Sequence, residues 1–241
     1  MGEVKYSFII VSLNSEETIG KTIDSIIQQN RSDYEVIFID GCSRDHTVDI
    51  IKDKTEEISD RVVIISEKDD GLYYAMNKGL MKSRAPWVSF LNSDDWLEGD
   101  ALFQIDKAII VDPDAEIFYG LINIVDKIKI MTVATCWENL PNANIPHPGT
   151  FTARSLFERI GNFDTKYRLC ADYDFFLRAY FEKAKFYQID SVLANYQVGG
   201  LSTKRARLGE REKITIQAKY RENSWIKRSL RLMRASVRRF L

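Results

Sequence analysis

Residues Tyr6 to Asp40 read YSFIIVSLNSEETIGKTIDSIIQQNRSDYEVIFID. Two apolar, β-rich runs, Tyr6–Ser12 and Tyr34–Ile39, flank a stretch in which Ile19, Ile23, Ile26 and Ile27 recur at helical spacing. Ser15 is placed to cap that helix, with Glu16 and Glu17 in its first turn. Strands that are apolar throughout are covered on both faces, so strand, helix, strand predicts a parallel βαβ unit. The pattern continues outward. Asp45 to Ile58 reads as a second helix, with Val48, Ile51 and Ile58 inward. Val62–Ile65 reads as a third strand, Leu72–Lys82 as a third helix and Trp87–Leu91 as a fourth strand. The expectation is an α/β protein with a Rossmann-like, mostly parallel central sheet flanked by helices.

The second half is mixed. Helices are predicted at Ala101–Val111, Ala153–Ile160 and Asp172–Lys183. Strands are predicted at Glu116–Val125 and Ile128–Val133, and Phe186–Tyr196 reads as extended. One domain over residues 1–205 with a helical C-terminal appendage over 206–241 is the simplest division of the 241 residues. A net charge of −1 argues against a nucleic-acid binder. The charge is uneven, because Lys227, Arg228, Arg231, Arg234, Arg238 and Arg239 follow Glu222 with no acid among them. Three scattered cysteines without a CxxC suggest neither disulfides nor a zinc site, which fits a reducing cytoplasm. No run of ~18 apolar residues is found, and the N-terminal apolar run is too short for a signal peptide.

In a parallel α/β sheet, ligands bind at the carboxyl ends of the strands. The polar residues there are Ser12-Leu13-Asn14, Asp40 to Ser43, Glu67 to Gly71, and Asn92-Ser93-Asp94-Asp95. Adjacent carboxylates at a partly buried rim repel, and one titrates high unless a cation intervenes. Hard oxygens of this kind suit Mg2+ or Mn2+ shared with a substrate's phosphates. Strand alternation lets only one of Asp94 and Asp95 face the metal; the competing reading is that either caps the next turn. Neither GxGxxG nor GxxxxGK[ST] occurs, so a bound diphosphate needs a metal. Asp40 then faces a base or ribose, or is a turn residue.

The ordered fragments SFIIVSLNSEETIGKTIDSIIQQ, YEVIFIDGCSRDHTVDII, EKDDGLYYAMNKGL, WVSFLNSDDW, HPGTFTARSLFERIGNFD and ADYDFFLRA cover about residues 6–180. Together they resemble a family 2 glycosyltransferase of the GT-A fold, from the branch that builds bacterial surface polysaccharides. The resemblance implies a mixed acceptor-side half after the nucleotide-binding half. It implies that Asp40 reads the nucleotide base and that Asn92-Ser93-Asp94 is the metal-binding motif, with Asp94 the ligand. It implies that Asp172 is the catalytic base. The nucleotide side is carried over to Val11, Leu13, Asn14, Asp40, Asp70, Asn92 and Ser93, with Asp95, His147 and Gly200 as further donor- or acceptor-side residues. Three positions depart from the family pattern: Asn92 replaces an Asp, Ala171 a Glu, and Leu13 an aromatic that stacks on the base.

The implied reaction is inverting transfer from a nucleotide-diphosphate sugar, UDP favoured and GDP possible, to a hydroxyl of a glycan or lipid-linked acceptor. Asp172 is expected to titrate near neutrality if desolvated among Tyr167, Tyr173 and Phe175. Asp174 is spaced to pair with Arg178. His147, in a Pro-flanked segment, touches the diphosphate or acceptor, or is structural. The cation near the diphosphate is Lys78 or Lys68. Along 225–241 an apolar face alternates with cations, which suits the inner face of an anionic membrane or packing on the body. Two other readings stay open. A nucleotidyltransferase would want a Gly-rich basic loop after the first strand, and a non-catalytic binding scaffold would not need both Asp94 and Asp172.

Overall fold

The computed structural model describes the backbone of residues 3–127 and 129–237, and side chains as far as Arg221. The first half follows the predicted alternation. Strand β1 (Tyr6–Ser12) leads to α1 (Ile19–Ile27), β2 (Tyr34–Asp40), α2 (Thr47–Lys54), β3 (Val62–Ser66), α3 (Leu72–Lys82) and β4 (Trp87–Asn92). After a short β5 (Trp96–Leu97) come α4 (Ala101–Val111), β6 (Ile117–Val125), β7 (Ile130–Val133), β8 (Thr150–Ala153), α5 (Arg154–Ile160), α6 (Ala171–Phe181) and β9 (Phe186–Gln197). The chain continues into α7 (Leu201–Lys204) and α8 (Ala206–Val237).

One sheet runs β3-β2-β1-β4-β8-β6-β9-β5, with β7 added to β6. The β3-β2-β1-β4 block is parallel, whereas β8 joins β4 and β6 antiparallel. Register sets Ser12 opposite Asp40, Asp40 opposite Ser66, and Val11 opposite Asn92. The carboxyl ends of the four parallel strands therefore meet on one rim. Alternation along β1 splits the core. Tyr6, Phe8 and Ile10 pack with α1 and α4 residues such as Ile23 and Ile105, while Ile9 and Val11 pack with Met76, Phe157 and Tyr173 on the other face. Gly79 lets α3 lie against the sheet, since a Cβ there would stand 2.4 Å from Ile9 Cγ2.

Three local expectations change. Helix α1 begins at Ile19, after a turn in which the Ser15 carbonyl accepts the N–H of Thr18 and Ile19; the Ser15 hydroxyl is paired with Ser93 Oγ instead of capping. The helix predicted over 45–58 ends at Lys54. Thr55 Oγ1 donates to the Ile51 carbonyl at 2.7 Å, and Glu56–Arg61 continues as a 3-10 helix. Asp94 and Asp95 do not extend β4: the Asp95 N–H donates back to the Asn92 carbonyl, so both carboxylates sit in a turn. Strand alternation thus does not decide which of them faces the cleft.

Candidate active site

Four contacts fasten the turn after β4. Strand β5 pairs with β9, Trp96 lying opposite Asn195, and the Asp95 carbonyl accepts Thr22 Oγ1 at 2.7 Å. The Asp95 side chain is fully buried. It accepts the Gln197 N–H at 3.1 Å and Asn92 Nδ2 at 3.0 Å. Asp94 is half-buried and points at the loop after β9, where a Cβ on Gly200 would lie 2.6 Å from its Oδ2. A larger residue there would require the Asp94 carboxylate to turn away.

Burial, then the neighbouring charge of Asp94, pushes Asp95 up to about 7. Burial likewise raises Asp94, with His147 and Lys204 pulling the other way. Asn92 Oδ1 is buried without a hydrogen-bond partner among the described residues. Two strained carboxylates and an orphaned hard oxygen are what a small divalent cation would relieve. No group of three or more His, Cys, Asp or Glu able to enclose a metal exists among the described residues. Asp94 and the unpartnered Asn92 Oδ1 therefore fit a small divalent cation, which no larger cluster of protein ligands among the described residues would enclose.

A second carboxylate, that of Asp172, is connected to this turn through His147. Asp172, only 6% exposed, is the second residue of α6. Its Oδ1 accepts Tyr73 Oη at 2.9 Å and the Tyr173 N–H at 2.8 Å. Its Oδ2 lies 3.1 Å from Asn144 Nδ2 and 3.3 Å from His147 Nδ1. His147 opens a short 3-10 turn between two prolines, and its Nε2 lies 3.2 Å from Asn92 Nδ2. Asn92 Nδ2 donates to Asp95 Oδ2, and it donates to His147 Nε2 as well only while His147 is neutral with its proton on Nδ1. A continuous polar line thus runs from Gln197 through Asp95, Asn92 and His147 to Asp172.

This corrects the expected surroundings and titration of Asp172. Tyr173 turns its hydroxyl to the Leu140 carbonyl at 2.9 Å, and Asp172 contacts Tyr73, Asn144 and His147. Burial alone would raise the carboxyl, but the hydrogen bond and charge of His147, with Tyr73, hold it below its ordinary value. Burial works against a charge on His147, yet Asp172, then Asp95 and Asp94, raise it above the ordinary imidazole value. The pair's stabilisation is therefore full between the ordinary carboxylate and the ordinary imidazole values. It fades outside that window and is lost as pH falls through the lowered Asp172 value or rises through the raised His147 value. In Asp172→Asn the His147 midpoint is expected to drop from its raised value, read by ring-nitrogen NMR.

The nucleotide-side residues lie on the neighbouring strand ends. Val11 is buried and Leu13 is 59% exposed. Asn14, at φ 49°, ties the loops after β1 and β2 through Ser43 Oγ (2.8 Å) and the Arg44 N–H (2.9 Å). Asp40 is buried and accepts Ser12 Oγ, the Ser43 N–H and Oγ, and Ser66 Oγ. Asp70 is exposed, whereas its neighbour Asp69 takes Lys78 at 2.6 Å, and Lys78 also meets Glu67. Lys78 is thus engaged on the β3–α3 loop, and the charges that act on Asp94 are those of His147 and Lys204. Asp174 pairs with Arg178 at 3.0 Å, as spaced, and with Lys219 at 2.8 Å. Sequence reasoning missed Tyr73, Asn144, Gln197 and Lys204. A tyrosine inside the Gly71-Leu72-Tyr73 helix start and an asparagine three residues before His147 were the available signals.

Comparison with known proteins agrees with this arrangement. A family model described as "Glycosyl transferase family 2" matches residues 7–184. A PGL/p-HBAD biosynthesis glycosyltransferase of Mycobacterium bovis is 32% identical over 212 residues, covering 84% of this chain and 80% of the relative. The mannosyltransferase PcManGT from Pyrobaculum calidifontis, solved with GDP-Man and Mn2+, superposes with a TM-score of 0.72 at 17% identity, covering 92% of this chain and 65% of that one. S. aureus TarS 1-349 with UDP superposes at 0.66 and 20% identity, covering 81% and 61%. This chain spans less than two thirds of either solved chain, and at such identities the likeness shows the fold alone, GT-A. With paired carboxylates on the rim of the parallel strands and the family match running from β1 past α6, the chain belongs to glycosyl transferase family 2.

Proposed function

We propose that the protein is a metal-dependent, inverting glycosyltransferase. It moves a sugar from a nucleotide-diphosphate sugar, UDP favoured over GDP, to a hydroxyl of a glycan or lipid-linked acceptor in bacterial surface polysaccharide synthesis. The observation that carries this reading is the polar line linking Asp95 and Asn92, beside Asp94, to His147 and Asp172. It links a carboxylate pair suited to a diphosphate with an ionised carboxylate. The names of the mycobacterial relative and of the two solved proteins, with their UDP or GDP-Man, support the donor class.

Asp94 would hold Mn2+ or Mg2+, which when bound neutralises the charge that develops on the departing diphosphate. Asn92 and Ser93 line the same turn, and Gly200 brings the late loop over it. His147 keeps Asp172 ionised at neutral pH, the form a general base needs. Asp172 Oδ2 then takes the proton of the incoming hydroxyl. Attack from the Asp172 side, opposite the diphosphate, inverts the anomeric carbon, as in inverting glycosidases. Leu13 is exposed at the rim, where it presents an apolar face for a base. Asp40 serves the base side from behind, through the Ser43 loop.

The protein is proposed to work in the cytoplasm at the inner membrane face. No helix among the described residues is long and apolar enough to cross a membrane. The basic face of 225–241 that would contact lipid lies outside the described side chains. The test of function is release of nucleotide from a panel of UDP- and GDP-sugars with Mn2+, with the product's anomeric configuration read by proton NMR. Release from one donor with inversion is expected. Retained configuration would contradict the inverting assignment, and tight nucleotide binding with no release from any donor would favour a binding scaffold.

A further inference from the structure

The backbone just before Asp172 is held from outside its own helix. Glu212, on α8, accepts three consecutive N–H groups: Arg168 at 2.8 Å on Oε1, and Leu169 at 2.9 Å and Cys170 at 3.0 Å on Oε2. Donors at a helix start have no partner within the helix. A carboxylate there also meets the positive end of the α6 dipole. The other side of the same segment is held by Tyr73, whose hydroxyl lies 3.0 Å from the Leu169 carbonyl and 2.9 Å from Asp172 Oδ1. Leu169 is thus gripped at its N–H by Glu212 and at its carbonyl by a hydroxyl that also touches Asp172.

Further along α8 the packing on α6 continues. Ile216 is fully buried, Gln217 Nε2 lies 3.1 Å from Tyr173 Oη, and Lys219 reaches Asp174 Oδ1 at 2.8 Å. The family match ends at residue 184, so this stretch lies beyond it.

We propose that Glu212 is a positioning residue for Asp172, and that the Gly209–Tyr220 stretch of α8 belongs to the catalytic unit. The inference rests on the reading of Asp172 as the base. Glu212 touches neither the Asp94 turn nor the strand ends where the nucleotide is placed, so its effect belongs on turnover and not on donor binding. Freeing three N–H groups lets residues 168–170 shift, and a displacement of about 1 Å at a reacting group costs about 10²-fold in rate.

The experiment uses the full chain and whichever sugar nucleotide the wild type hydrolyses fastest with Mn2+. Glu212→Ala is expected to lower kcat at least about tenfold, with the KM for the donor and Mn2+-dependent UDP binding unchanged. Glu212→Gln keeps one accepting oxygen and should fall between the two. In an Asp172→Asn background, Glu212→Ala should add no further loss, because its effect passes through the base. Unchanged kcat in both Glu212 variants overturns the proposal. So does additivity with Asp172→Asn, or a Glu212→Gln variant that folds but loses UDP binding together with turnover. If Asp172→Asn turns over at the wild-type rate, the base reading fails and takes this inference with it. An inactive Asp172→Asn beside a fully active Glu212→Ala sinks the positioning role alone.

Discussion

Asp172→Asn is expected to cut sugar-nucleotide turnover by about 10²–10⁴-fold, the range for losing a positioned general base, while nucleotide affinity stays at the wild-type value. The substitution is nearly isosteric. Asn keeps an oxygen at Oδ1 for Tyr73 Oη and the Tyr173 N–H. At Oδ2 an amide would face Asn144 Nδ2 and His147 Nδ1, both of which donate to the carboxylate. The variant therefore loses the proton acceptor and disturbs His147, but leaves the Asp94 turn intact. Steady-state release of nucleotide, set beside calorimetric binding of the same nucleotide, separates the two effects. Wild-type turnover in Asp172→Asn would remove it from the chemistry.

The second large effect is expected at Asp94. Asp94→Asn should weaken metal-dependent nucleotide binding by at least about 100-fold, because the amide removes the formal charge that a hard cation and its diphosphate require. The same change should help the fold. The Asp94 charge is one cause of the raised Asp95 carboxyl, after burial. A carboxyl whose folded value is raised carries stability that is lost as pH rises through that value, about 7 here. Removing the Asp94 charge lowers the Asp95 value and relieves that loss. Asp94→Asn is thus expected to melt at a higher temperature than the wild type above pH 7 in the absence of metal, while binding nucleotide far less well. Thermal denaturation across pH without added metal checks this, and an unchanged or lower melting temperature would show that the two carboxylates do not strain each other. Stability gained where function is lost is the trade expected at a site built for a ligand.

The fold was largely legible because its signals are periodic. Tyr6–Ser12 and Tyr34–Asp40 are buried at every position, and all of those residues are apolar or aromatic except Ser7, Ser12, Glu35 and Asp40. The isoleucines of α1 repeat along the face that packs on the sheet. What could not be read is set by single tertiary contacts. The two-residue β5 carries no periodicity and exists because β9 pairs with it. The end of α2 turns on one hydroxyl, that of Thr55. Within the site, Asp94 and Asp172 stood out as carboxylates at element ends. Their connection did not, because Asn92 and His147 are 55 residues apart and Tyr73 and Asp172 are 99 apart. The direction of the Asp172 titration reversed for the same reason: burial was predictable, but the imidazole that outweighs it was not.

The central claim is that Asp94 holds a metal and a nucleotide diphosphate together. Calorimetric titration of UDP and of GDP, with and without Mn2+, on the wild type and on Asp94→Asn tests it most directly. The predicted result is binding of one nucleotide that depends on Mn2+ and disappears in Asp94→Asn. Tight binding that is indifferent both to Mn2+ and to Asp94 would contradict the claim and return the two carboxylates to the role of turn residues.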